Sequence, residues 1–146
     1  MKYTVETEIN LPIAKVVELF DSPDNLKHWQ PGLISFEHIS GTPGQPGAKS
    51  KLKYKMGKRE IEMNETISVR NLPDEFSGTY EAKGVFNIVK NYFKPVSENK
   101  TRYINENEFQ FKGFMKLIGF LMPGAYRKES EKYLIQFKEF AEKQGA

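Results

Sequence analysis

Apolar and polar residues alternate along most of this chain, and the period changes in only a few places. Tyr3, Val5, Thr7 and Ile9 interleave with Thr4, Glu6 and Glu8, the period of a strand with one face turned to a core. Asn10-Leu11-Pro12 breaks the alternation and offers a helix start, with proline tolerated in the first turn. Ile13, Val16, Val17 and Phe20 follow at i, i+3, i+4 and i+7, one apolar stripe on a short helix. Asp21-Ser22-Pro23 restarts a second short helix that runs to about His28, and Leu33 to Ser40 reads as a strand. GTPGQPG, residues 41–47, is kept out of regular structure by its glycines and prolines.

The next stretch predicts a hairpin in detail. A turn at Gly57-Lys58 places Lys55 opposite Glu60 and Lys53 opposite Glu62 on one face. The same register sets Tyr54 against Ile61, Leu52 against Met63 and Ser50 against Glu65 on the other. The run Lys51, Lys53, Lys55, Lys58 is therefore read as a solvated sheet surface and not as a nucleic-acid stripe.

After Asn71-Leu72-Pro73-Asp74 comes a strand from Glu75 to Ala82, which turns at Lys83-Gly84 into another from Val85 to Pro95. That turn puts Tyr80 opposite Asn87 and Phe76 opposite Asn91. A three-residue loop at Ser97-Glu98-Asn99 leads into TRYINENEFQF, residues 101–111, and sets Asn91 against Asn105. Phe86, Ile88 and Tyr92 make the other face of the 85–95 strand apolar too, so a bulge would exchange its faces. The chain closes with a long helix on which Tyr126, Ser130, Tyr133, Leu134, Phe137 and Ala141 share a side. Before it lies GFMKLIGFLMPG, residues 113–124, apolar nearly all round and interrupted by Pro123-Gly124. It reads as core filling, as a movable lid, or as a segment that touches a lipid surface.

A strand, two short helices, six strands and a long terminal helix give an α+β class. A sheet of that length does not stay flat, so it is expected to curl around the one long helix.

Composition narrows the picture. The 146 residues suit a single domain, 1–146, and 13% aromatics supply a core. No run of about 18 apolar residues is present, so no stable membrane insertion is expected. The N-terminus starts directly in strand alternation, without the apolar centre of a signal peptide. Zero cysteines fit a reducing cytoplasm and remove thiolate metal sites, and two histidines leave little for a transition metal. No cofactor is called for, and a net charge of +3 does not argue for nucleic acid.

The order of several stretches resembles a known family. "INLPIAKVVELFDSP", "NLKHWQPG" and the Gly41–Gly47 loop come first, followed by "ETISVRNLPDEF", "YFKPVSENKTRY" and the C-terminal "YLIQFKEFAEK". Together they resemble the START-like, or Bet v 1-like (SRPBCC), helix-grip superfamily, on its polyketide cyclase/dehydratase side, over nearly the whole chain. The resemblance implies a seven-stranded antiparallel sheet wrapped around the last helix, with a cavity between them. It also implies ligands such as sterols, lipids, quinones, plant hormones or polyketides, with catalysis in a minority of members.

Against that expectation the polar residues on the inner faces become candidates. Asn105 and Asn107 share a face with Tyr103 and Phe109, and the registers add Asn87, Asn91, Tyr80 and Glu65. Tyr54 and Trp29 complete the candidate lining. A few amides, phenols and a carboxylate on a mostly apolar wall describe a ligand pocket. The amides equally well satisfy one another across strands and only support the core. Glu65, among Ile61, Met63, Ile67 and Val69, should have a raised pKa unless it is paired. His28 reads as a surface or capping residue, whereas His38 shares a face with Ile34 and Phe36.

The leading functional expectation is a carrier or sensor for a small hydrophobic ligand such as a lipid, quinone or polyketide-like molecule. One alternative is a cyclase- or dehydratase-type enzyme with Glu65 or His38 as acid-base group. Another is a protein-interaction module, in which outward Phe86, Ile88 and Tyr92 join two copies in a homodimer.

Overall fold

The computed structural model describes residues 1–145, and the side chains of all of these except Met56 and Pro123. Strand β1 (Lys2–Ile9) is followed by helix α1 (Ile13–Phe20), a 3-10 turn at Pro23–Asn25 and the short helix α2 (Leu26–Trp29). Six strands come next: β2 (Leu33–Ser40), β3 (Lys49–Met56), β4 (Arg59–Asn71), β5 (Glu75–Ala82), β6 (Val85–Ser97) and β7 (Lys100–Phe111). Helices α3 (Phe114–Leu121) and α4 (Pro123–Gly145) end the chain. The seven strands form one curved antiparallel sheet in the order β1-β7-β6-β5-β4-β3-β2.

The hairpin registers are those that side-chain pairing predicts. Lys53 pairs with Glu62, Tyr54 with Ile61 and Ser50 with Glu65 in β3–β4, and Lys51 Nζ reaches Glu62 at 3.2 Å. Tyr80 pairs with Asn87 and Phe76 with Asn91 in β5–β6. Asn91 meets Asn105 as well, by a different route from the expected three-residue loop. The register slips between Pro95 and Ser97, and Ser97 pairs with Lys100 across a tighter turn. The pairing from Val85 to Pro95 is unbroken, so Asn87 and Asn91 stay on the inner face.

β1 returns to the sheet beside β7, so the α1–α2 connection must cross the whole sheet to reach β2 at the opposite edge. Along that path it buries the aromatic core. Phe20 lies against Phe93, Tyr103, Phe137 and Phe76 with ring centroids 5.0, 5.7, 5.7 and 5.9 Å away, all edge-on. Trp29 meets Phe137 at 5.1 Å. Edge-to-face geometry places ring hydrogens on the negative face of the neighbour, which adds to the burial term. Helix α4 turns Leu134, Phe137 and Ala141 into this core and packs mainly on β1. Arg70 closes the same end. It grips both carboxylate oxygens of Asp21 at 2.6 Å and donates to the Gly44 carbonyl at 3.3 Å, tying the 41–47 loop to the end of α1.

The other end of the molecule is covered differently. Helix α3 meets the sheet through Gly119, which drops onto the Phe111 ring where a Cβ would sit 2.5 Å from ring carbon, and through Met115 at Gly84 of the β5–β6 turn. Its remaining apolar side chains turn outward: Phe114 is 74% exposed and Phe120 81%, with Leu117, Leu121 and Met122 also in solvent. The core-filling expectation for 113–124 therefore fails for most of the segment, because only Met115, Ile118 and Gly119 turn inward.

Candidate functional site

One register line crosses the concave face from edge to interior: His38 on β2, Ser50 on β3, Glu65 on β4, Tyr80 on β5, Asn87 on β6 and Phe109 on β7. Neighbouring strands are about 4.8 Å apart, so successive members of this line are in side-chain reach. Tyr80 Oη donates to Glu65 Oε2 at 2.7 Å. Tyr126 and Tyr133 of α4 stand on the helix facing this line. Tyr126 packs on Phe109 and Phe111 with centroids 4.8 and 5.4 Å away, and Tyr54 is raised first by burial and then by the nearby Tyr133. Ile61, Met63, Tyr80, Asn87, Val89, Phe109, Tyr126 and Tyr133 are only half-buried although they lie on the concave side or on the helix facing it. The aromatic core fills the α1–α2 end of the concavity and leaves this end less tightly covered.

A second polar group runs beside that line. Tyr103 Oη and Asn105 Nδ2 both donate to Asn91 Oδ1, at 2.7 and 2.8 Å. Asn107 Nδ2 donates to Asn105 Oδ1, and Asn87 Nδ2 donates to Asn107 Oδ1 at 3.4 Å. The ends of the chain are held by backbone, Asn91 Nδ2 on the Phe76 carbonyl at 3.1 Å and Asn87 Nδ2 on the Glu108 carbonyl at 3.2 Å. Buried Asn91, Asn105 and Asn107 thus satisfy one another, as low-dielectric surroundings demand.

The titratable groups respond to burial. Desolvation raises the Glu65 carboxyl above its ordinary value, and the Tyr80 hydroxyl works against that shift. Burial and the neighbouring Glu65 push Tyr80 well up, burial raises Tyr54 and Tyr103, and Tyr133 is pushed up to about 12. These phenols stay protonated at any physiological pH and act as hydrogen-bond donors.

Of the residues singled out in the sequence, Tyr54, Glu65, Tyr80, Asn87 and Phe109 come together on the concave face, with Tyr54 donating to Gln30 Oε1 at 2.8 Å. Tyr103, Asn91, Asn105 and Asn107 lie behind them as the bonded chain. Trp29 is elsewhere, 6% exposed in the aromatic core. His38 shares the inward alternation but lies exposed on edge strand β2, where no helix covers it, so it is not placed for acid-base work. His28 is on the surface, stacked on Phe140. Sequence reasoning missed Tyr126 and Tyr133 as site residues. Their signal was there: one helical stripe with Phe137, beginning polar-tipped and ending apolar.

Of two surface depressions of about 340 and 380 Å³, one lies on the convex side, lined by Lys51, Glu62 and Glu81, and the other at the rim where α4 meets β1, lined by Glu6, Thr7, Glu8, Arg102 and Lys138. They are shallow gaps between solvated charges. Among the described residues no cluster of side chains suits a metal ion, and no helix is long and apolar enough to cross a membrane.

The family model described as polyketide cyclase / dehydrase and lipid transport matches residues 1–142. The chain belongs to this family. Solved structures carry the same fold at low identity. TTHA0849 from Thermus thermophilus is 15% identical over 100% of both chains, with a TM-score of 0.80. An aromatase/cyclase from Streptomyces sp. R1128 is 10% identical over 99% of this chain and 94% of its own, at 0.82. Norcoclaurine synthase from Thalictrum flavum, solved with dopamine and hydroxybenzaldehyde, is 17% identical over 92% and 86%, at 0.65. No curated protein matches the sequence. This member of the polyketide cyclase/dehydrase family shares the helix-grip fold of those structures.

Proposed function

We propose that the protein binds a small, largely apolar molecule in the hollow between β3–β7 and α4, as a carrier or sensor. The reading rests on one observation: half-buried aromatic and aliphatic side chains surround a partly satisfied polar line, Glu65–Tyr80–Asn87, on the concave face. An apolar wall supplies affinity by burial, about 0.8 kcal/mol for each methylene removed from water, and the few polar groups fix orientation. Its relatives are compatible with this: the family's description includes lipid transport, and the Thalictrum enzyme was solved with small aromatic molecules. Native mass spectrometry of freshly purified protein, followed by denaturing extraction, tests it. The expected result is one co-purifying apolar molecule per chain, or one-to-one uptake of an added one. A chain that arrives empty and takes up none contradicts the reading.

A second reading is favoured by the Glu65–Tyr80 bond. A desolvated carboxylate held by one phenol is a competent general base, and the Streptomyces neighbour is an aromatase/cyclase. Here Glu65 would take a proton from a bound polyketone. Glu65→Gln is then expected to abolish turnover while the polyketone still binds; unchanged turnover removes Glu65 from the chemistry.

A further inference from the structure

The orientation of the asparagine chain carries information about what the hollow receives, an inference that rests on the binding reading above. An amide is ordinarily ambiguous between its oxygen and nitrogen, but here both ends are anchored to carbonyls, which only accept. The Phe76 carbonyl requires Asn91 to present Nδ2, so Asn91 Oδ1 faces Tyr103 and Asn105. Asn105 must therefore offer Nδ2 to it and Oδ1 to Asn107, and Asn107 in turn leaves its own Oδ1 for Asn87. The Glu108 carbonyl at the far end demands Nδ2 from Asn87, which is the same sense. Reversing any one amide sets two carbonyls or two amino groups face to face. All four side chains hence run one way, donors toward Phe76, and the surplus group at the open end is an acceptor, Asn87 Oδ1.

Glu65 repeats the pattern. Tyr80 occupies Oε2, and among the described residues Oε1 has no hydrogen-bond partner. Among the described residues the unpartnered side-chain atoms sealed away from solvent are Trp29 Nε1 and Gln136 Oε1, so Glu65 Oε1 and Asn87 Oδ1 each keep some accessible surface. They flank Tyr80 on the same register line. The phenolic donors here are spent, Tyr80 on Glu65, Tyr103 on Asn91 and Tyr54 on Gln30, and Asn87 uses both amide hydrogens, on Asn107 and the Glu108 carbonyl, while the second hydrogens of Asn91, Asn105 and Asn107 belong to buried residues behind the line. The hydroxyls of Ser50, Tyr126 and Tyr133 serve either role and do not bias the balance. The buried polar set holds one carboxylate, Glu65, and no lysine or arginine.

We propose that the polar end of the ligand is a hydrogen-bond donor, a hydroxyl or a protonated amine, received jointly by Glu65 Oε1 and Asn87 Oδ1, and that carboxylate-headed molecules are rejected. A carboxylate would meet two acceptors and a like charge with no cation to offset it. An ammonium would gain charge-assisted bonds, the stronger kind.

Decylamine, 1-decanol and decanoate test this with a constant tail. Dissociation constants are measured at pH 8 by native mass spectrometry and calorimetry, counting only one-to-one binding. The expected order is decylamine tightest, then decanol, then decanoate, with about tenfold or more between the amine and the acid, one charge-assisted bond being ample for that. The protein's net charge of +3 works in the opposite direction, so overall attraction does not explain such an order. Glu65→Gln keeps an oxygen for Tyr80 and turns an amino group into the hollow, and should shift the preference toward decanoate. Decanoate binding the wild type as tightly as decylamine overturns the donor inference while leaving the binding reading intact. Failure of all three to bind overturns both.

Discussion

A carboxylate set between Ser50 and Tyr80 loses hydration that one phenolic hydrogen bond only partly replaces. The folded chain therefore favours protonated Glu65 relative to the unfolded chain, whose ordinary value is 4.5. That preference stabilises fully below the ordinary value and fades as pH rises through the folded one. Glu65→Gln abolishes it, so the Tm of the variant relative to wild type should rise between about pH 4 and about pH 8; thermal melts across that range check the sign. The amide chain makes the opposite kind of prediction. Asn105→Leu strands Asn107 Nδ2 and costs ~1–3 kcal/mol by denaturant titration, since a buried donor loses its partner. At this scale the sequence was legible in part. Amides on an apolar alternation announce themselves, and cross-strand arithmetic brings Asn91 to Asn105. What alternation does not contain is the Phe76 and Glu108 carbonyls, and those decide which atom of each amide faces which neighbour.

Elements were legible where charge and turn chemistry agreed. Lys53 opposite Glu62 and Tyr54 opposite Ile61 follow from Gly57-Lys58 because a one-residue slip would bring lysine into the apolar face. The same alternation misleads for His38, since an inward direction on edge strand β2 leads to open solvent when no layer lies above it. For α3 the composition was equally silent: Phe114, Leu117 and Phe120 read alike in a core and on a surface. The structure separates these roles within one helix. Phe120→Ser should change stability by no more than ~0.5 kcal/mol, as exposed substitutions do. Gly119→Ala should lift the helix from Phe111, because the new Cβ meets that ring and the Phe109 and Tyr126 rings close off one side of it. Faster amide exchange confined to 114–121 is the measurement, and unchanged protection there would contradict it.

Over the whole molecule the aromatic core and the polar line of Glu65, Tyr80 and Asn87 divide the concave face between them. Phe137, fully buried and touching Phe20, Trp29 and Tyr103, belongs to the first, and Phe137→Ala should cost ~3–5 kcal/mol without altering which head group the hollow prefers. The pairing of β1 with β7 reaches further. Val5 finds Asn105 and Ile9 finds Thr101, and α4 packs on that same first strand. On a ribosome, the first strand to emerge is thus the last to gain a neighbour: it must wait through the synthesis of the six others, with its backbone donors and acceptors unpaired. A nascent chain stalled before β7 holds an open edge and an uncovered apolar face, a vulnerable interval built into the order in which this polypeptide is made.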